Sequence, residues 1–490
     1  MATVQVFRTS HRSGQSAKLL VGLLLLVALA VAVRAMALGS QSFWSDEVFT
    51  LRVIQGPLGG ILDRLAGSES TPPLYYLLAK GWGSVFGYGE VPLRSLSLVL
   101  GVALVPTVFY VGFRSGGPRT ALMAAALVAT NPELAWMSQD ARSYSLVVLL
   151  AVGSVAVFLL LRERFTQARF LAWVLVATAA AASHYFAIFV VLPQLVWIAI
   201  QFRWKAWWGI LAFALGVAAL VPLAAEQRST NASLAIGGQS LVTRISGVPK
   251  NFLAGEKGGE FDQWVLLGAA AALMLAGLVL AVAATSAVER RKLVPVALIA
   301  AFGFGVPLLA ALVGLDYVNA RNLLPAWPLF LVLVAAGCAA ASVGRVGLVV
   351  CGAICAIGLA VWVHIARNPG LQRDDWRSAA QTIARSTDTR TLVLVDELGG
   401  SAPLAHYLSA TPVVADAVGT REVAVVSLVR GRSRRVFTPP APFRLTAVER
   451  SPSVIVQFFE APRRQLVTRA QLQGAAWAQG SFVPEELISD

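Results

Sequence analysis

The sequence predicts a polytopic α-helical membrane protein with about eleven transmembrane helices and a small α/β domain at its C-terminal end. Three observations predict it. Of 490 residues, 57% are hydrophobic and only 13% charged, and the mean hydropathy is +0.69. A soluble chain carries nearer a quarter charged residues, so this one cannot cover a water-soluble particle of its size. The apolar residues gather in runs such as Leu19–Val33 and Leu266–Ala284, on the scale of the roughly 20 residues that a membrane-crossing helix needs. Near residue 367 the composition changes: Asp, Arg and Pro become frequent, and no later run could cross a bilayer.

The net charge of +14 does not indicate nucleic acid. Lys and Arg form no stripe; they stand in small groups between apolar runs, as in the cytoplasmic loops of membrane proteins, where anionic lipid head groups are the natural partner. The groups also set the orientation. A tail with Arg8, Arg12 and Lys18 is cytoplasmic, and a first span, about 19–39, runs outward to a long outer segment, about 40–90. Further spans lie near 91–113, 119–132, 144–161, 170–182, 185–201, 206–224, 264–287, 293–313, 322–342 and 346–366. Arg114 and Arg119, Arg162 to Arg169, Arg203 and Lys205, Arg290 to Lys292, and Arg345 then all fall on the cytoplasmic side. Counting Pro73–Phe86 as a crossing would break this pattern, so it reads as an amphipathic helix on the outer surface. The first run resembles a signal sequence ending at Ala35-Met36-Ala37, but its apolar core is long for one, and it reads as a retained helix.

An odd number of spans places residues 367–490 outside, beyond a membrane domain of residues 1–366. In the outer part, Trp376–Ala384 reads as a helix, and Thr391–Asp396 and Ser453–Phe458 as buried strands. Cys338, Cys351 and Cys355 lie within apolar runs without His or carboxylate company, so they read as packing residues rather than a metal or disulfide site. No Walker loop or nucleotide fingerprint is present, which argues against an ATP-driven pump.

The chemistry-bearing residues fall on the outer side. Asp46 and Glu47 follow the first span. Ser45 or Asp46 starting a surface helix through Arg52 and a carboxylate placed to take a proton from an acceptor hydroxyl stand even on spacing alone. Asp140 and Arg142, within Ser138-Gln139-Asp140-Ala141-Arg142-Ser143-Tyr144, read first as a solvated ion pair. His184 reads as a turn residue, and Arg321, beside Asp316, as a snorkelling cation. The topology nevertheless sends all of them to one membrane face, where charged residues tend to be functional.

These residues sit in motifs. Ala37 to Glu47, Thr71-Pro72-Pro73-Leu74-Tyr75-Tyr76, Glu90 to Arg94, Ser138 to Tyr144, Ser183-His184-Tyr185-Phe186 and Arg321-Asn322-Leu323-Leu324-Pro325 resemble, in order, motifs of the GT-C glycosyltransferases. The branch is that of family 39 protein mannosyltransferases and lipid A aminoarabinose transferases. Trp376-Arg377 resembles the start of the outer domain of bacterial members. The resemblance covers about residues 20–380. It implies a GT-C fold and transfer of a sugar, mannose or another hexose or pentose, from a polyprenyl-phosphate donor to a glycan, lipid or protein acceptor of the cell envelope, with inversion. It implies that Asp46 is the general base, with Glu47 in support, that Arg142 and Arg321 hold the donor phosphate, and that Arg94, Asp140 and His184 line the substrate site. No cofactor is required, with a divalent cation near Asp46 and Asp140 left open. The sequence departs from the pattern in three places. Thr71 stands where aminoarabinose transferases carry a basic residue, Asn322 replaces a common Tyr, and Asp140 stands where many relatives have Glu. The alternative is a transporter or flippase of a lipid-linked sugar, which would favour inverted repeats; none is visible.

Overall fold

The computed structural model describes residues 2–231, 240–255, 264–385, 391–395, 400–409, 411–412, 417–429, 441–468, 471 and 485–489. The chain divides into two compact units, Met1–Leu38 with Val53–His364, and Gly39–Arg52 with Ile365–Asp490.

The first unit is helical. Among the described residues, eight helical stretches are long and apolar enough to cross a membrane: Ser16–Ala35, Glu90–Gly116, Tyr144–Glu163, Tyr185–Ser229, Trp264–Ala283, Ala287–Leu312, Ala320–Ala339 and Gly344–Arg367. The chain is a multi-pass membrane protein. The difference from eleven lies in three places. Pro118–Thr130 has 13 residues and Gln167–Ser183 has 17, both short of a full crossing when straight. Tyr185–Ser229 has 45 residues, about twice the length one crossing needs. It is broken at Arg203, where φ turns to +48° and the helix Ile188–Phe202 gives way to Trp207–Ala218.

Apolar side chains are exposed on the outer faces of these helices, as at Leu24, Leu175, Val279 and Leu309. That suits lipid rather than water as the surrounding solvent. Tyr144–Glu163 and Ala320–Ala339 are central, with 72% and 78% of their apolar windows buried, against 11% for Ser16–Ala35. Packing between helices relies on small residues: a Cβ at Gly337 would collide with the Gly277 carbonyl, so these backbones approach as only glycine allows. Polar side chains pair inside the bundle. The Gln194 amide donates to Ser154 Oγ at 2.9 Å, and the Trp173 indole N–H donates to Gln194 Oε1 at 2.9 Å. Cys338, Cys351 and Cys355 are free thiols.

The surface segment expected at Pro73–Phe86 is a helix over Leu74–Phe86, with Tyr75, Tyr76, Ala79 and Gly83 buried and Leu77 and Leu78 exposed. Lys80 Nζ donates to the carbonyls of Ile54 and Gly56 at 2.8 and 2.7 Å, a cation at the carbonyl end of the helix Ser45–Gln55, where the helix dipole favours it.

The second unit holds a six-stranded sheet. Its strands are β1 (Thr391–Val395), β2 (Thr411–Pro412), β3 (Ala417–Leu428), β4 (Arg444–Arg450), β5 (Val454–Thr468) and β6 (Glu485–Ser489), in the order β2-β6-β1-β3-β5-β4. Among the described strands, only β1 and β3 pair in parallel. All five residues of β1 are buried because both sheet faces are covered. Trp376, Ile383 and Leu404, from the helices Trp376–Ile383 and Ser401–Leu408, pack with Val393 and Val395. Leu392 and Leu394 pack with Phe443 and Phe459. The strand expected at Ser453–Phe458 extends to Thr468; Asp396, expected to end β1, lies outside the described residues. Gly39–Arg52 belongs to this unit through hydrogen bonds. Ser40 Oγ donates to Gln372 Oε1 at 3.2 Å, Ser42 Oγ to the Asp374 carbonyl at 2.7 Å, and the Phe43 N–H to the Tyr407 hydroxyl at 2.7 Å.

Candidate functional site

In the first unit the site is built on the turn between the helices Pro132–Met137 and Tyr144–Glu163. Asn131 starts it: its side chain accepts from the Leu134 N–H at 3.0 Å, capping the short helix. Arg34, fully buried near the end of the first span, secures the turn. Its guanidinium donates to Ser138 Oγ at 3.2 Å and to the carbonyls of Ala129 and Val128, both at 3.1 Å. In return Gln139 Nε2 donates to the Arg34 carbonyl at 2.8 Å. The turn is buried throughout. Asp140 is fully buried and Arg142 nearly so, which corrects the expectation of a solvated pair between them.

Arg142 pairs with Glu69. The guanidinium spans both carboxylate oxygens, with Nη2 to Oε2 at 2.8 Å and Nη1 on Oε1. Such a two-pronged contact is the strong form of the pair. Tyr76 stands beside it, its hydroxyl 2.8 Å from Thr71 Oγ1. Burial, more than the neighbouring charges, raises the phenol well above its ordinary value, so Tyr76 is a neutral hydrogen-bonding group. Gln227 closes this side, donating to the Thr71 and Leu65 carbonyls at 3.0 and 3.3 Å and accepting from the Tyr185 hydroxyl at 2.8 Å.

His184 ends the helix Gln167–Ser183. Its Nδ1 accepts from the Phe186 N–H at 3.3 Å, and its ring lies 5.8 Å from that of Tyr144. On the Tyr144 ring, 5.6 Å from its centroid, sits the Arg321 guanidinium, a cation–π arrangement. His184 and Arg321 thus meet at the Tyr144 ring, two residues along the chain from Arg142, at the starts of the spans Tyr144–Glu163 and Ala320–Ala339. Sequence reasoning missed Glu69, Tyr76 and Gln227. The available signal for Glu69 was an acidic residue two positions before Thr71-Pro72-Pro73, in the segment after the first span, whose matching cation comes from the turn before Tyr144–Glu163.

The other expected residues stand elsewhere. Arg94 is fully buried and donates to the Leu38 carbonyl at 3.3 Å, pinning the end of the first helical segment. Asp46 and Glu47 belong to the other unit, in the first turn of the helix Ser45–Gln55. Glu47 is fully buried and Asp46 half-buried. Thr50 Oγ1 donates to the Asp46 carbonyl at 3.1 Å. Among the described residues, no three or more His, Cys, Asp or Glu side chains stand together as metal ligands would.

Burial first, and the charge of Arg142 second, lower the His184 imidazole to about 4. Unfolded, it takes its proton near 6.5. Between these values the unfolded chain binds the extra proton, so this group costs no stability above pH 6.5 and a growing amount as pH falls toward 4. The full effect is roughly 3 kcal/mol. Thermal unfolding of the detergent-solubilised protein across pH 4.5–7.5 should therefore show a shallower acid loss in His184→Gln than in wild type. Equal slopes would mean that the ring is not held neutral.

No family model matches the chain, and no curated protein matches it in sequence. Solved structures do match. The Archaeoglobus fulgidus oligosaccharyltransferase in complex with zinc and sulfate aligns over 75% of this chain and 56% of its own, at 14% identity and a TM-score of 0.50. This chain therefore spans little more than half the length of that enzyme. ArnT from Cupriavidus metallidurans bound to undecaprenyl phosphate aligns over 89% of this chain and 97% of its own, at 13% identity and a TM-score of 0.42. The Saccharomyces cerevisiae protein O-mannosyltransferase Pmt1-Pmt2 complex bound to its sugar donor aligns over 42% and 32%, at 20% identity and a TM-score of 0.29. The structural neighbours of this chain are GT-C glycosyltransferases, and the likeness to the archaeal enzyme gives it the GT-C fold.

Proposed function

We propose that the protein transfers a sugar from a polyprenyl-phosphate donor to an acceptor hydroxyl of the cell envelope, on the outer side of the plasma membrane. The observation that carries this reading is the Arg321 guanidinium on the Tyr144 ring, beside His184, which also feels the charge of Arg142, at the starts of two apolar spans. Cations there suit an anionic group attached to a lipid, because the tail can remain in the bilayer. The GT-C fold supports the same class of reaction.

In the proposed step the acceptor hydroxyl loses its proton to Asp46 while its oxygen attacks the anomeric carbon. The bond from that carbon to the phosphate oxygen breaks, the configuration inverts, and the lipid phosphate departs with the electron pair. Arg142 and Arg321 stabilise the departing anion, and Arg suits this because its fork stays protonated and fits phosphate oxygens. Half-buried Asp46 is the better placed carboxylate for an acceptor, with buried Glu47 in support. Neutral His184 contributes hydrogen bonding to the substrate, while Arg94 and Asp140 hold the walls of the site. Mannose or another hexose or pentose fits the reading, and the reaction needs no cofactor.

The test is transfer of label from a panel of polyprenyl-phosphate sugars in membranes holding the protein, with Arg321→Ala and Arg321→Lys beside it. A charge-assisted contact is worth about 1.5–3 kcal/mol. Donor affinity should fall roughly tenfold or more in Arg321→Ala and recover only in part in Arg321→Lys, which keeps the charge and loses the planar fork. Donor binding with no transfer to any envelope acceptor would favour a flippase. Unchanged affinity in Arg321→Ala would make this residue a snorkelling cation.

The orientation belongs to the same proposal and rests on the basic groups between spans, with the N-terminus cytoplasmic and residues 367–490 outside. A reporter fused at the C-terminus should be active only in the form that works outside the membrane. Activity confined to the cytoplasmic form would put the site on the wrong face.

A further inference from the structure

The loop between the spans Ala287–Leu312 and Ala320–Ala339 leads directly into Arg321, and a residue from a distant segment sets its shape. Arg244, on the helix Leu241–Ala254, grips Asp316 with both guanidinium nitrogens, Nη1 to Oδ1 at 2.8 Å and Nη2 on Oδ2. The same Nη1 donates to the Val318 carbonyl at 2.8 Å, so side chain and backbone of the loop are held together. Asp316 Oδ1 also accepts from the Val318 N–H at 3.2 Å. The guanidinium beside it holds the Asp316 carboxyl below its ordinary range, so the pair stays charged at neutral pH.

From this grip the loop is fixed step by step to Arg321. The Asn319 side chain accepts from the Arg321 N–H at 3.0 Å and starts the short helix Ala320–Leu323. Asn322 Nδ2 donates to the Tyr317 carbonyl at 2.7 Å. The Tyr317 ring meets Phe186, two residues after His184, at 5.9 Å. The helix bearing Arg244 is itself anchored at its other end. Asn131 Nδ2 donates to the Phe252 carbonyl at 2.9 Å, and the Phe252 ring stacks on Trp327 at 4.5 Å. Leu241–Ala254 is thus a strut, tied at one end to the span that follows Arg321 and at the other to the loop that precedes it.

We propose that Arg244 and Asp316 are positioning residues of the donor site, their ion pair fixing the loop that presents Arg321 to the phosphate of a polyprenyl lipid. This rests on the donor reading above. It differs from a purely structural role in a measurable way. Asp316 keeps 31% of its side-chain surface exposed, so water reaches the pair and its loss costs less global stability than that of a fully buried pair, whereas misplacing the cation it aims weakens binding.

The experiment measures binding of undecaprenyl phosphate to the full-length protein in nanodiscs, with thermal unfolding alongside. Arg244→Ala and Asp316→Asn should each lower affinity roughly two- to thirtyfold, no more than Arg321→Ala does, with unfolding nearly unchanged. Because both act through Arg321, the double variant Arg244→Ala/Arg321→Ala should bind no worse than Arg321→Ala alone. The exchanged pair Arg244→Asp/Asp316→Arg should recover part of the loss. Wild-type affinity in both single variants, or full additivity with Arg321→Ala, overturns the positioning role while leaving the donor site intact. Unchanged affinity in Arg321→Ala itself overturns the donor reading and this inference together.

Discussion

Replacing Asp46 with Asn is expected to abolish sugar transfer while leaving the protein folded and inserted. Asp46 lies in the first turn of the helix Ser45–Gln55, and near-isosteric Asn keeps the shape of the side chain while removing its basicity. General base catalysis contributes typically about 10²–10⁴-fold, and a loss of that size should appear in turnover rather than in donor affinity. Activity near wild type would leave Asp46 a helix-start residue and nothing more. Glu47→Gln serves as the companion. Glu47 is fully buried, so its replacement should act through stability first, and a variant that is stable yet inactive would exchange the two roles.

The second large effect is at Arg142. Its guanidinium and the Glu69 carboxylate keep only 8% and 3% of their side-chain surface exposed. Arg142→Ala strands a buried carboxylate, which costs about 3–5 kcal/mol and should lower the unfolding temperature sharply. Replacing the whole pair, as in Arg142→Met with Glu69→Leu, removes both charges together and should recover most of that stability. Donor binding should not recover with it. This divergence separates the two contributions of Arg142. A double variant that binds undecaprenyl phosphate as wild type does would make Arg142 a structural cation and leave phosphate capture to Arg321.

The membrane architecture was legible because lipid imposes a coarse rule: long apolar runs alternate with basic groups, and both can be counted. The count blurred where length and geometry part company. Pro118–Thr130 is apolar but short, whereas the break in Tyr185–Ser229 falls on Arg203 and Lys205, the basic group that separates two spans in the sequence. The helix Leu74–Phe86 was legible from its apolar run, and its 13 residues are short for a crossing. Buried partners were not legible. Glu69 and Arg142 are 73 residues apart and Arg244 and Asp316 are 72 apart, and nothing in local composition pairs a carboxylate with a cation over such separations. The solvated pairing of Asp140 with Arg142 failed for this reason: adjacency suggested it, while the tertiary fold buried both and brought Glu69 to the guanidinium.

The hydrogen bonds that hold Gly39–Arg52 also set an order of events during synthesis. Ser40 and Ser42 find their partners Gln372 and Asp374 332 residues later in the chain. At the usual pace of translation, about 5–20 residues per second, that is on the order of half a minute after the segment itself has been made. In that interval the ribosome produces every apolar span after the first, from Glu90–Gly116 to Gly344–Arg367. The segment carrying Asp46 and Glu47 therefore receives its final anchorage among the last parts of the molecule. A nascent or truncated chain that ends before residue 372 has its membrane helices but lacks the partners that organise this carboxylate segment, so the carboxylates are set in place only once the chain is nearly complete.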